Sequence, residues 1–126
     1  MASAASPATA LSPTQRAALA RATRFIDANL YQPITVDDLA AAACVSRFHL
    51  ARLFRAALDT SPTAYLRAQR IQQAQHLLRE GGLKVCQIAS SLCFFDQSHF
   101  VRSFRAVTGC TPRHFAAQRG AGAGAT

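Results

Sequence analysis

All-α is the fold class that this 126-residue sequence predicts. Three observations carry the reading. Apolar residues recur at helical spacing, helix-start residues punctuate the chain, and no run alternates with period two for the length of a strand. About seven helices are expected, between Ser12 and Arg119.

Ser12-Pro13 reads as an N-cap with proline at the first helical position. Leu19, Ala22, Ile26 and Leu30 then recur at spacings of 3, 4 and 4 until Tyr31-Gln32-Pro33 ends the helix. Thr35 caps a short helix with Asp37 and Asp38 in its first turn, where carboxylates suit the positive end of the helix dipole, and Leu39 and Ala40 face inward. After Cys44-Val45, Ser46 caps a helix expected to bury Leu50, Leu53, Phe54 and Ala57. Ser61-Pro62 opens a longer helix through Tyr65, Leu66, Ile71, Ala74, Leu77 and Leu78, stopped by Gly81-Gly82. Val85–Leu92, Asp96–Thr108 and a last helix opening at Thr111-Pro112 complete the order. The Ala/Ser/Pro segment 1–11 and the Gly/Ala segment 120–126 lack a periodic apolar face and are expected to be disordered tails.

Charge narrows the function. Fourteen basic residues, thirteen of them arginine, oppose six acidic ones for a net +8, and the pI is near 10.7. That balance points to a polyanionic partner, nucleic acid first and an anionic membrane surface second. No apolar run approaches a bilayer span, and the uncharged N-terminus lacks the cationic start of a signal peptide, so a cytoplasmic location is expected. The four cysteines, Cys44, Cys86, Cys93 and Cys110, form no close pair and are expected to be reduced and mostly buried. No set of carboxylates or thiols is grouped around His76 or His114 at ligand spacing, so neither a metal nor any other cofactor is expected. No nucleophile–base set or phosphate loop suggests an enzyme.

An internal repeat sharpens the picture. Leu39-Ala40 and Cys44-Val45 answer Ile88-Ala89 and Cys93-Phe94 at an offset of 49. Past the turn the offset is 50: His49-Leu50 answers His99-Phe100, and Arg52-x-Phe54-Arg55-Ala56 answers Arg102-x-Phe104-Arg105-Ala106. Thr60-Ser61-Pro62 and Tyr65 answer Cys110-Thr111-Pro112 and Phe115. Each copy is a short helix, a tight turn and a longer helix, which is a helix-turn-helix.

The core positions leave one face of each second helix free. Burying Leu50, Leu53, Phe54 and Ala57 exposes Phe48, Ala51, Arg52 and Arg55; burying Phe100, Phe104 and Val107 exposes Ser98, Val101, Arg102 and Arg105, with His99 at the edge. Arginine repeated at one exposed position suits bidentate bonding to guanine O6 and N7, and an exposed phenylalanine suits a thymine methyl. The base-reading candidates are Phe48, Ala51, Arg52, Ser98, His99 and Arg102. The phosphate candidates are Ser46, Arg47, Arg55, Gln97 and Arg105, with Arg67 and Arg70 as further cations.

Five stretches carry a family resemblance. They are Thr35-Val36-Asp37-Asp38-Leu39-Ala40, Ser46-Arg47-Phe48-His49-Leu50-Ala51-Arg52-Leu53-Phe54-Arg55, Ser61-Pro62-Thr63-Ala64-Tyr65-Leu66-Arg67, Ile71-Gln72-Gln73-Ala74, and Phe94 to Arg105 with Thr111-Pro112 after it. Over roughly Thr14–Gln118 the chain resembles the DNA-binding domain of AraC-type (AraC/XylS) transcriptional regulators. The resemblance implies a DNA-binding domain over residues 12–119, with lobes at 12–60 and 81–119 joined by a linker helix at 61–80. It further implies double-stranded DNA and RNA polymerase as partners and a regulator that is usually an activator. No segment is long enough for a separate effector-sensing domain.

The linker from Pro62 to Arg79 is 18 residues, about 27 Å at 1.5 Å per residue. With the lobes' own width, this suits one molecule reading two successive major grooves about 34 Å apart. Two features stand apart from that pattern. Both inter-helix turns carry cysteine where many family members have glycine, and Cys86 with Cys93 offers an alternative function as a thiol-based redox sensor.

Overall fold

The computed structural model describes residues 11–125, with side chains through Gln118. Its seven helices are α1 (Pro13–Ala28), α2 (Val36–Ala43), α3 (Arg47–Leu58), α4 (Pro62–Glu80), α5 (Val85–Ser91), α6 (Gln97–Thr108) and α7 (Pro112–Ala125), and the described residues contain no strand. Local chemistry sets their starts. Ser12 Oγ accepts from the Gln15 N–H at 3.1 Å while Gln15 accepts from the Ser12 N–H at 2.9 Å, and Thr35 with Asp38 repeats this box ahead of α2. Ser46, Ser61, Asp96 and Thr111 each accept from the N–H three residues on, so α3, α4, α6 and α7 all begin on a side-chain oxygen. Lys84 has no such oxygen, and Gln87 reaches back to its N–H at 2.7 Å instead.

The chain forms two compact units. Among the described residues the first holds 11–29 and Pro33–Leu66. Its core is Ala18, Ala22, Ile26, Leu39, Ala40, Ala43, Leu50, Leu53 and Phe54, with Tyr65 edge-on to Phe54 at 5.5 Å between ring centroids. Burial, then the nearby charge of Asp27, raises the Tyr65 phenol above its ordinary pKa. Arg21 donates to the Ala43 carbonyl at 2.8 Å, which satisfies an acceptor at the end of α2.

The second unit holds Leu30–Gln32 and the described residues from Arg67 on. Ile71, Ala74, Leu78, Ile88, Ala89, Leu92, Phe94, Phe100 and Phe104 are its core. Phe94, Phe100, Phe104 and Phe115 form an edge-to-face chain with centroids 5.1, 5.8 and 5.6 Å apart. The boundary between the units thus falls within α4, between Leu66 and Arg67, inside the segment expected to link the lobes. The short stretch after α1 joins the second unit because Leu30 packs on its core and Arg70 bonds both the Leu30 and Gln32 carbonyls.

Local expectations change at several points, among them Ala57, which is half-buried instead of buried. Val107 is 49% exposed instead of buried. Phe100 and Phe104 already fill the core side of α6, and in its last turn the Thr108 hydroxyl donates to the Phe104 carbonyl at 2.8 Å. The cysteines are free as expected, but none is buried: Cys44 and Cys86 are exposed, Cys93 and Cys110 half-buried. Turns and a helix start place them at the rim of the units, where phenylalanine and leucine have taken the interior. The segment expected as a tail, 120–126, is described as far as Ala125, where α7 ends. The expected disorder of residues 1–10 lies outside the described residues.

Both inter-helix turns use one device. Cys44 stands at φ 61° and Cys93 at φ 64°, in the left-handed region. The Cys44 N–H donates to the Ala41 carbonyl and the Val45 N–H to the Ala40 carbonyl; Cys93 to Ser90 and Phe94 to Ala89 repeat the pair, all at 3.0–3.1 Å. This is the Schellman arrangement, normally built on glycine. Left-handed geometry costs an L-residue about 1–2 kcal/mol, which Cys44→Gly removes against glycine's greater loss of freedom on folding. Cys44→Gly should therefore match or exceed the wild-type urea midpoint, and Cys44→Val should fall below both. A valine variant as stable as the glycine one would show that the turn does not need positive φ.

Candidate nucleic-acid interface

Each unit presents a second helix whose inner face is committed to a core. On α3, Leu50, Leu53 and Phe54 are at most 2% exposed, and the opposite face carries Phe48 at 71% with Ala51, Arg52 and Arg55 also exposed. On α6, Phe100 and Phe104 are sealed and Ser103 is buried at the position that repeats Leu53. Gln97, Ser98, Val101 and Arg102 line a shallow cleft, with Ser98, Arg102 and Arg105 exposed and Val101 half-buried. His99 sits at the edge: its ring lies edge-on to Phe94 at 5.5 Å, and its Nδ1 is buried without a partner.

The phosphate candidates have local contacts that water or an anion can replace. Arg47 Nε lies 3.3 Å from Asp37 Oδ1 with its guanidinium 6.0 Å from the Phe48 ring centre, and Arg55 lies 3.3 Å from Asp59. Such exposed pairs contribute little and open cheaply. Ser46 is exposed with its hydroxyl capping α3, while Gln97, Arg105 and Arg67 are exposed.

Arg70 is the exception among the expected cations. It is 9% exposed, its Nε donates to the Leu30 carbonyl at 3.0 Å, and its Nη2 donates to the Gln32 carbonyl. Burial lowers the guanidinium's pKa, with Cys93 opposing the shift. Its charge serves carbonyls inside the unit and is not available to phosphate. Helical periodicity did not distinguish it from Arg67, because the carbonyls it meets are about forty residues away in sequence. Phe95, 90% exposed in the second turn, is a surface residue that the periodicity also missed. The signal that marks it is the change of repeat offset from 49 to 50.

The helix-turn-helix domain family matches residues 39–118, which span both copies of the motif. This chain belongs to the AraC-type family of DNA-binding transcriptional regulators. The HTH-type transcriptional regulator ArgR of Pseudomonas aeruginosa is 34% identical over 104 residues, 82% of this chain and 32% of that protein. An AraC-type regulator structure from Chromobacterium violaceum superposes with a TM-score of 0.79 at 32% identity, covering 86% of this chain and 96% of that one. The DNA-binding domain of AdpA, solved in complex with a target DNA, matches with a TM-score of 0.73 at 30% identity over 79% of this chain and 90% of its own. The chain spans about a third or less of the length of the first curated relatives it matches. The family is one of DNA-binding regulators and not of enzymes. Among the described residues no group of three candidate ligands could hold a metal, and no helix is long and apolar enough to cross a membrane. Nothing in the family comparison supports the redox alternative at Cys86 and Cys93.

The two kinds of arginine separate by measurement. Arg70→Met keeps the aliphatic stem but strips two carbonyls of their donor, and should lower stability by about 2–3 kcal/mol. Salt dependence of DNA binding should be unchanged. Arg105→Ala should do the reverse, leaving the melting temperature in place and reducing the slope of log K against log salt by about 0.9. A changed slope for Arg70→Met at temperatures where it is folded would return that residue to the phosphate set.

Proposed function

We propose that this chain is a sequence-specific transcription regulator that binds double-stranded DNA as a monomer, inserting α3 and α6 into successive major grooves. The observation that carries the proposal is the pair Arg52 and Arg102, repeat-equivalent and both exposed on the outer faces of these helices. Phe48, Ala51 and Arg52 read one half of the site; Ser98, His99 and Arg102 read the other. Ser46, Arg47, Arg55, Gln97 and Arg105 hold phosphates. Because the two reading faces differ in composition, the site is asymmetric. The net charge of +8 and the DNA bound to the related AdpA domain support the same reading. The regulator acts as an activator in the cytoplasm, on the nucleoid, and touches RNA polymerase, as is usual for this family.

Arg52→Ala and Arg102→Ala should each lose about 1–3 kcal/mol at the selected site and relax preference at one base pair. The two relaxed positions should lie about 10 bp apart. Equal losses on selected and random DNA would make both arginines phosphate contacts and the assigned faces wrong.

Stoichiometry tests the monomer. Sedimentation of the complex should give one protein per duplex on a single asymmetric site. A stable two-to-one complex on a palindrome would overturn monomeric recognition in favour of a symmetric pair.

A further inference from the structure

Phe95 has the highest exposure of the large apolar side chains among the described residues, at 90%. The fold does not need it. Its neighbour Phe94 enters the second core, and the Phe94 N–H closes the turn on the Ala89 carbonyl at 3.0 Å. On its other side Asp96 caps α6 by accepting from the His99 N–H at 2.7 Å. In the first copy Val45 and Ser46 hold the corresponding positions with nothing between them, so Phe95 is the residue inserted where the offset passes from 49 to 50. The insertion keeps both neighbouring geometries and adds a phenyl ring in water.

Its position gives that ring a use. It stands ahead of the first turn of α6, three residues before Ser98, at the end that a recognition helix offers to base edges. A phenyl ring has no hydrogen-bonding atom, and the apolar group on a base edge is the thymine C5 methyl. We infer that Phe95 is a specificity residue of the second unit, covering a thymine methyl beside the base pairs that Ser98 and Arg102 read. The first unit's exposed ring, Phe48, lies inside α3 and not ahead of it, so the added thymine is demanded in one half of the site alone. The inference rests on the DNA-binding reading above.

The test uses the full chain and a duplex that it selects from random-sequence DNA, with each thymine replaced in turn by deoxyuridine. At one thymine in the α6 half, loss of the methyl should weaken wild-type binding about fourfold, the worth of one buried methyl group. Phe95→Ala should bind the thymine duplex about tenfold more weakly and be indifferent to that uracil, with an unchanged melting temperature because the ring packs on nothing. The inference is overturned if Phe95→Ala binds every duplex as wild type does, or weakens while keeping the same response to uracil. Arg102→Ala on the same duplexes separates the two readings: a loss there with none at Phe95 sinks this inference alone, and no loss at either sinks the reading face. Unchanged DNA affinity with failed transcription activation would assign the ring to a protein partner and overturn the inference.

Discussion

The left-handed turn is the constraint on which the rest of each unit depends. An L-residue in that region reverses the chain within two residues and hands the carbonyls at the end of one helix to the next two N–H groups. At Cys44 and at Cys93 this happens with the same pair of hydrogen bonds. It sends the chain from α2 into α3, and from α5 into α6, with the cap residue Ser46 or Asp96 already in place. The face of each second helix that meets the core follows, and so does the face left over for a partner. Cysteine takes the position at a small conformational cost, which the apolar contacts of Leu39, Leu50 and Phe54, or Ile88, Phe100 and Phe104, more than offset.

Arginine shows how burial assigns chemistry to a residue type. Arg21 and Arg70 are consumed inside their own units by carbonyls that the helices leave over. Among the described residues Arg52 and Arg102 meet no acceptor, which leaves their planar donor forks for a ligand with matched acceptors. Between these lie Arg47 and Arg55, each loosely held by a carboxylate in water. The net charge is one number, yet it divides into a structural part that salt barely touches and a surface part that salt screens.

The two copies diverge in their cores and in their turns. Leu53 is replaced by Ser103 in the second, and its packing moves to the aromatic chain from Phe94 to Phe115. Its turn is one residue longer, and its helix cap is a carboxylate in place of a hydroxyl. A shared fold with unlike outer faces suits an asymmetric ligand better than a symmetric one.

The sequence by itself determined the all-α class, the helix order, the caps at Ser12, Thr35, Ser46 and Thr111, and the outward faces around Arg52 and Arg102. Those features are local, set by side chains three or four residues apart and by a repeat that writes the same motif twice. Only the tertiary structure decided the fate of Arg70, since its carbonyl partners lie far away in sequence and no local period marks them. The same holds for Val107, exposed because the core ends before the helical pattern does, and for the thiols, left at the rim because bulkier side chains fill the interior. The division of α4 between Leu66 and Arg67 belongs with them, because a continuous helix carries no local mark of which core each of its turns will join.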